Sequence, residues 1–193
     1  MQRDERSGVA GPSAIGPAGP HVYLGHGAAG SAASMAPHVM GLQRRGIEAT
    51  AVQLPKRRAE DALDTYRAQV DGGHPLVIGG HSYGGRVASL LAARGLDIGG
   101  GRLIAGLIVF SYPLHRPGVP DLDTRSAHFP AIDCPVLVLS GESDPFARID
   151  LLRRAVLRLP AARLVTWPRL GHGLAPVLDE ALGEVASFMA ALA

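Results

Sequence analysis

The sequence contains no asparagine. That excludes N-linked glycosylation and bars an asparagine side chain from any catalytic part. It contains one cysteine, Cys134, so no intrachain disulfide can form. A chain without disulfides suits a reducing compartment, and a cytoplasmic location is expected. Cys134 abuts Pro135 and an apolar run, which points to buried packing. The longest apolar run, Leu103–Phe110, is interrupted by Gly106 and is far too short to span a bilayer. Met1–Arg6 is charged, but no apolar stretch of the kind a secretory signal needs follows it. There is no H-E-x-x-H, no C-x-x-C and no Walker lysine, so no metal or cofactor is implied. Basic residues exceed acidic ones only by 19 to 17 and are scattered, apart from Lys56-Arg57-Arg58. No nucleic-acid footprint follows, and the basic trio reads as a solvated loop in preference to an anion site.

What is present is 193 residues, 47% of them hydrophobic and 19% charged, enough for one globular domain with a sizeable core. Residues 1–20 are rich in Gly, Pro, Ser and charge and read as a flexible arm. From residue 21 onward, short apolar runs alternate with one-sided helical patterns. Strands are expected at 21–24, 48–54, 75–78, 103–110, 135–139 and 163–167. Helices are expected with Met35, Val39 and Leu42 on one face, over 60–70, 84–94 and 147–159, and from about Pro176 to the end. The breaks fall at Gly46, at Asp71-Gly72-Gly73 and over Gly95–Gly101, and the proline-rich stretch 111–130 reads as irregular. Near-continuously apolar strands with helices between them argue a mostly parallel sheet of about six strands, covered on both faces in a three-layer α/β/α fold. Right-handed crossovers put all strand ends of one kind at one edge, where such sheets bind ligands.

That edge receives Gly80-His81-Ser82-Tyr83-Gly84. The five-residue pattern is common by chance; here a strand precedes it and a helix follows. In that setting small residues on both sides let the chain turn sharply and leave the serine projecting. A serine hydroxyl needs an adjacent base, and the base needs an orienting group. His172, between Gly171 and Gly173 after the last strand, is the candidate base. His21, His38, His74, His115 and His128 sit outside recognisable turns, and His26 and His81 lie too close to the glycine turns. Asp144, in a turn before Pro145, is the favoured acid, with Glu142 and Asp150 competing. An oxyanion needs two preset donors. Without asparagine, backbone amides are the natural source: that of Tyr83, at the start of a helix, and one from the Gly27–Ala28 loop.

These residues resemble the α/β-hydrolase fold superfamily over about 21–193. Leu24-Gly-His-Gly-Ala-Ala-Gly30, Gly85-Arg86-Val87-Ala88 and Tyr112-Pro-Leu-His-Arg-Pro-Gly118 further resemble a small dienelactone-hydrolase-like group. That group includes the hydrolase-like domain of a chromatin acetyltransferase-complex subunit. The resemblance implies Ser82 as nucleophile, His172 as base, Asp144 as acid, and Ala28 and Tyr83 as oxyanion donors. Dienelactone hydrolases proper carry cysteine at the nucleophile position, where this chain has serine. The first two antiparallel strands of full-length members are expected to be missing, and 111–134 leaves no room for a helical cap domain. The expected site is therefore open, roofed by the loop 112–120, Met35, Met40 and Phe146. Substrate contacts are expected from His26, Gly27, Leu114 and Phe146. The function expected is a serine hydrolase on small carboxylic esters or thioesters. A non-catalytic interaction module and an acyltransferase are the alternatives. Oligomeric state is not legible.

Overall fold

Apolar runs of strand length and helices apolar on one side need each other for burial, and the computed structural model stacks them accordingly. The structure describes residues 19–70, 75–95 and 104–192. The strands are β1 (His21–Gly25), β2 (Ala49–Val52), β3 (Leu76–His81), β4 (Ile104–Phe110), β5 (Val136–Gly141) and β6 (Ala162–Trp167). They form one sheet in the order β2-β1-β3-β4-β5-β6, with every neighbouring pair parallel. The helices are α1 (Ala36–Gln43), α2 (Leu63–Arg67), α3 (Tyr83–Ala93), α4 (Ile149–Val156) and α5 (Leu178–Ala190).

Successive side chains on a strand point to opposite faces, so each central strand feeds two cores. Leu76, Ile78, Leu107 and Val109 pack with Val87 and Leu91 of α3 and Leu152 of α4. Val77, Ile108, Phe110 and Leu137 pack with Leu42 of α1 and with Leu182 and Val185 of α5. The result is the expected three-layer α/β/α fold, with a sheet that is wholly parallel among the described residues. Between β4 and β5 the chain makes one 3-10 turn, Phe129–Ala131, and one isolated bridge, Arg116–Val119. No helical cap covers the strand ends there. No helix of the described residues is long and apolar enough to cross a membrane.

Some boundaries differ from expectation. The helix expected over 60–70 is a 3-10 turn, Ala59–Asp61, followed by the short α2. Its anchor is the fully buried Tyr66, whose hydroxyl donates to Tyr23 O (2.6 Å) and accepts from Gly79 N–H (3.0 Å). A side chain tied into the sheet at this depth makes a longer helix unnecessary. The helix expected from 147 starts at Ile149, because Arg148 is extended and donates its N–H to His115 Nε2 (2.9 Å). Cys134 is half-buried, and burial pushes its thiol up to about 11. The expected N-terminal arm lies outside the described residues except for Gly19 and Pro20, as do the break at 71–73 and most of the loop 95–101.

Candidate active site

β3 passes into α3 through Ser82, whose backbone (φ 51°, ψ −112°) is one that residues with a side chain rarely adopt. Two hydrogen bonds hold it there: Ser82 N–H donates to Phe110 O (2.8 Å), and Arg86 N–H donates to Ser82 O (3.0 Å). The turn is tight enough to press the start of α3 onto the end of β1. A Cβ on Gly84 would lie 2.2 Å from the carbonyl carbon and oxygen of Gly25. Glycine at 84 is therefore demanded by contact between two backbones. Gly25 is the other half of that contact, and sequence reasoning passed over it; its only signal was a glycine closing an apolar strand.

The structure brings Ser82, His172 and Asp144 together. Ser82 Oγ–H donates to His172 Nε2 (2.8 Å), and His172 Nδ1–H donates to Asp144 Oδ2 (2.7 Å). The second carboxylate oxygen, Oδ1, accepts from Phe146 N–H (2.8 Å). The Asp144 side chain is wholly buried, while that of His172 is 22% exposed. A buried, doubly bonded carboxylate fixes the ring's tautomer and turns Nε2 toward the serine. The acid turn and the histidine loop are stitched together by Glu142 N–H to Trp167 O (3.0 Å) and Ser143 N–H to Leu170 O (2.9 Å). The competing acids are engaged elsewhere: Glu142 with Arg153 and Thr166, and Asp150 with Arg148.

On the other side of the serine, Gly27–Gly30 makes a turn closed by Gly30 N–H to Gly27 O (2.9 Å). The Gly27 carbonyl accepts a second bond, from His26 Nδ1–H (2.7 Å), while His26 Nε2 accepts from Leu54 N–H (3.0 Å). With that carbonyl held by two donors, the Ala28 N–H at the other end of the same planar peptide points the opposite way. Neither it nor the Tyr83 N–H donates to another described group, and both flank Ser82. His26 was expected to touch substrate. It is instead 1% exposed and braces the loop from behind, a role that spacing alone does not reveal.

The cleft around Ser82 has a volume of about 570 Å³ and is lined by the Gly27–Gly30 turn, Met35, His38, His81, Phe146, His172 and Leu178, among others. Gly27 and Phe146 line it as expected. Leu114 does not: it is fully buried in the core on the α3 side, and the loop 112–120 turns away from the serine. Met40 points to solvent. Two histidines that sequence reasoning set aside take their place. His81 packs at 5.2 Å from the His172 ring, and its Nε2–H donates to His172 O (3.3 Å); burial lowers its affinity for a proton.

His38 stands edge-on to Phe110 at 4.9 Å, with Nδ1 buried and without a partner. Burial, and secondarily the charge of His81, push it from 6.5 down to about 4. Between those values an unfolded chain holds a proton on this ring that the folded chain refuses. Stability should therefore fall as the pH drops from 6.5 toward 4, by on the order of 1–2 kcal/mol by pH 5 from this ring alone. Urea unfolding at pH 7 and pH 5 checks it: His38→Gln should lose less stability on acidification than the parent.

A second serine–histidine pair lies inside α3's packing and cannot act the same way. Ser89, 1% exposed, donates its proton to Arg86 O (2.8 Å), so His128 Nε2–H must be the donor to Ser89 Oγ (2.9 Å), the wrong sense for a base. Among the described residues no group of three or more His, Cys, Asp or Glu converges as metal ligands would.

Solved structures similar to this chain include the monoacylglycerol lipase of Paleococcus ferrophilus (15% identity, 92% of this chain and 97% of that one, TM-score 0.74). ClbQ from the colibactin NRPS/PKS pathway also matches (18% identity, 91% and 98%, TM-score 0.70). So does Est1E from Butyrivibrio proteoclasticus, solved with ferulic acid bound (18% identity, 91% and 90%, TM-score 0.69). At these identities the likeness is one of fold. The model of the alpha/beta hydrolase domain family matches residues 47–184, from just before β2 into α5, and the chain belongs to that family.

Proposed function

We propose that the protein is a serine hydrolase that cleaves small carboxylic esters or thioesters through an acyl-enzyme. The observation that carries this reading is the continuous chain Ser82 Oγ–His172 Nε2 (2.8 Å) and His172 Nδ1–Asp144 Oδ2 (2.7 Å), ending in a buried carboxylate. His172 takes the Ser82 proton as Oγ attacks the carbonyl carbon, and Asp144 stabilises the imidazolium that forms. The tetrahedral oxyanion is received by the Tyr83 and Ala28 amides, the first at the start of α3, where the helix dipole adds to the effect. The imidazolium then protonates the leaving group, and the acyl group stays on Ser82. Water deprotonated by His172 releases the acid and restores the serine. Family membership and the monoacylglycerol lipase among the similar structures support ester cleavage over an interaction role.

A fluorophosphonate probe tests this directly. It should label the parent protein at one site, with the adduct on the peptide containing Ser82, and leave Ser82→Ala unlabelled. A parent protein that stays unlabelled, and that does not turn over p-nitrophenyl acetate, would sink the enzyme reading.

A further inference from the structure

A second depression, of about 500 Å³, opens beside the serine cleft and takes no part in the chemistry above. Its lining includes Arg58, Arg86, Arg116 and Arg125 against only two carboxylates, Glu60 and Asp121. For a chain whose whole formal charge is +2, four guanidiniums in one hollow are a marked concentration.

Both carboxylates are already engaged. Glu60 accepts from Arg86 (2.5 Å) and faces Arg58 at 3.8 Å. Asp121 Oδ1 accepts from the backbone N–H of Asp123 (2.8 Å) and Thr124 (3.2 Å), closing its own turn. Among the described residues Arg116 and Arg125 have no carboxylate partner; Arg125 spends one N–H on Pro113 O (2.9 Å). Both ring nitrogens of His115 are engaged, Nδ1–H donating to Arg116 O (2.9 Å) and Nε2 accepting from Arg148 N–H (2.9 Å). Burial, then the nearby Arg86 charge, hold the Arg125 guanidinium below its ordinary value. The local excess is two positive charges, matched by a phosphate monoester dianion and exceeding what one carboxylate brings. Guanidinium forks also fit phosphoryl oxygens two at a time.

The depression shares a wall with the serine cleft. Phe146 lines the cleft, and its carbonyl accepts from the N–H of His115 (2.9 Å), which lines the depression. Arg86 lies one turn of α3 from Ser82 and bonds its carbonyl. We propose that the arginine depression binds a phosphoryl group on the leaving-group side of the substrate, making the preferred substrate an acyl ester or thioester of a phosphorylated alcohol or thiol. This rests on the hydrolase reading for the reaction and on the arginines alone for the anion. The group is released unchanged with the leaving alcohol or thiol, so the step stays a hydrolysis. Arg58, the last residue of the basic trio, becomes part of an anion site and is more than a solvated charge.

Two measurements separate the two claims. Inorganic phosphate titrated at low ionic strength, followed by 31P NMR, should bind the Ser82→Ala protein. Binding should weaken at least tenfold in Arg116→Gln/Arg125→Gln and at least threefold in Arg116→Gln alone, a change that touches no described hydrogen bond of that side chain. Separately, the parent's kcat/KM for S-acetyl-4′-phosphopantetheine should exceed that for S-acetyl-pantetheine by tenfold or more, and this ratio should collapse toward one in the double variant. Phosphate that does not bind, or binds the double variant equally, overturns the depression, as does a parent ratio near one. Phosphate binding with no turnover of any ester would leave the anion site standing and remove the hydrolase.

Discussion

Replacing His172 by alanine should lower kcat/KM for p-nitrophenyl acetate by about 10⁴-fold, with the melting temperature almost unchanged. At about 1.36 kcal/mol per tenfold, that is roughly 5.4 kcal/mol of transition-state stabilisation. The expectation comes from the position of one ring. Its Nε2 is the acceptor of the Ser82 proton, and its Nδ1–H is spent on a carboxylate with no exposure to water. Remove the ring and the serine keeps its proton, while the Tyr83 and Ala28 amides remain. Ser82→Ala should cost a similar factor. The double variant should be no slower than either single one, because groups that act as a unit fail as a unit. Additive losses, or a His172→Ala protein as fast as the parent, would take His172 out of the mechanism. Since the side chain is only partly buried, a large fall in melting temperature would instead indicate a structural role.

The second large effect is on stability. Gly84→Ala should destabilise the fold by about 3 kcal/mol or more, a fall of roughly 6–12 °C at about 2–4 °C per kcal/mol for a chain of this size. The added carbon would stand 2.2 Å from two backbone atoms of Gly25 and 2.7 Å from its Cα. A flexible side chain could swing aside; a β-strand backbone bonded on both sides to β2 and β3 cannot. Gly183 gives the contrast. It lies within α5, and an added carbon there meets nothing within 4 Å. Gly183→Ala should therefore raise stability by about 0.5–1 kcal/mol. Thermal melts of the two variants decide the matter. A Gly84→Ala protein melting with the parent would mean that α3 does not seat on β1.

The legible parts of this protein were those set by local pattern and order. A serine two residues from a glycine on either side, between a strand and a helix, fits a sharp strand-to-helix turn, and the positions of Asp144 and His172 after later strands bring them to the same edge. The layers were legible because Val77 and Ile78, or Ile108 and Val109, are neighbours in sequence that must face opposite cores. What was not legible depends on where a side chain points once the backbone is in place. His26 reads as a site residue by position, yet its ring turns inward to brace Gly27. Leu114 reads as roof, yet it is core. His38 reads as lying outside any recognisable turn and His81 as too close to the glycine turn to act as base, yet both line the cleft. The role of Tyr66 as a pin between β1 and β3 has no local signature, because its partners are backbone atoms 43 and 13 residues away.

The bracing of the two loops has a geometrical consequence. Through His26 and Leu54, the amide side of the site is strapped to the chain leaving β2, one edge of the sheet. Through Trp167 and Leu170, the His172 loop and the Asp144 turn are strapped to the chain leaving β6, the opposite edge. Ser82 rises from β3 between them. Five strand-to-strand steps separate β2 from β6, and at about 20–25° of twist per step the two edges diverge by roughly 100–125°. The sheet thus works as a caliper. Its two jaws reach the serine from opposite sides, so the spacing between the Ala28 amide and His172 Nε2 depends on the sheet's twist as well as on the two loops.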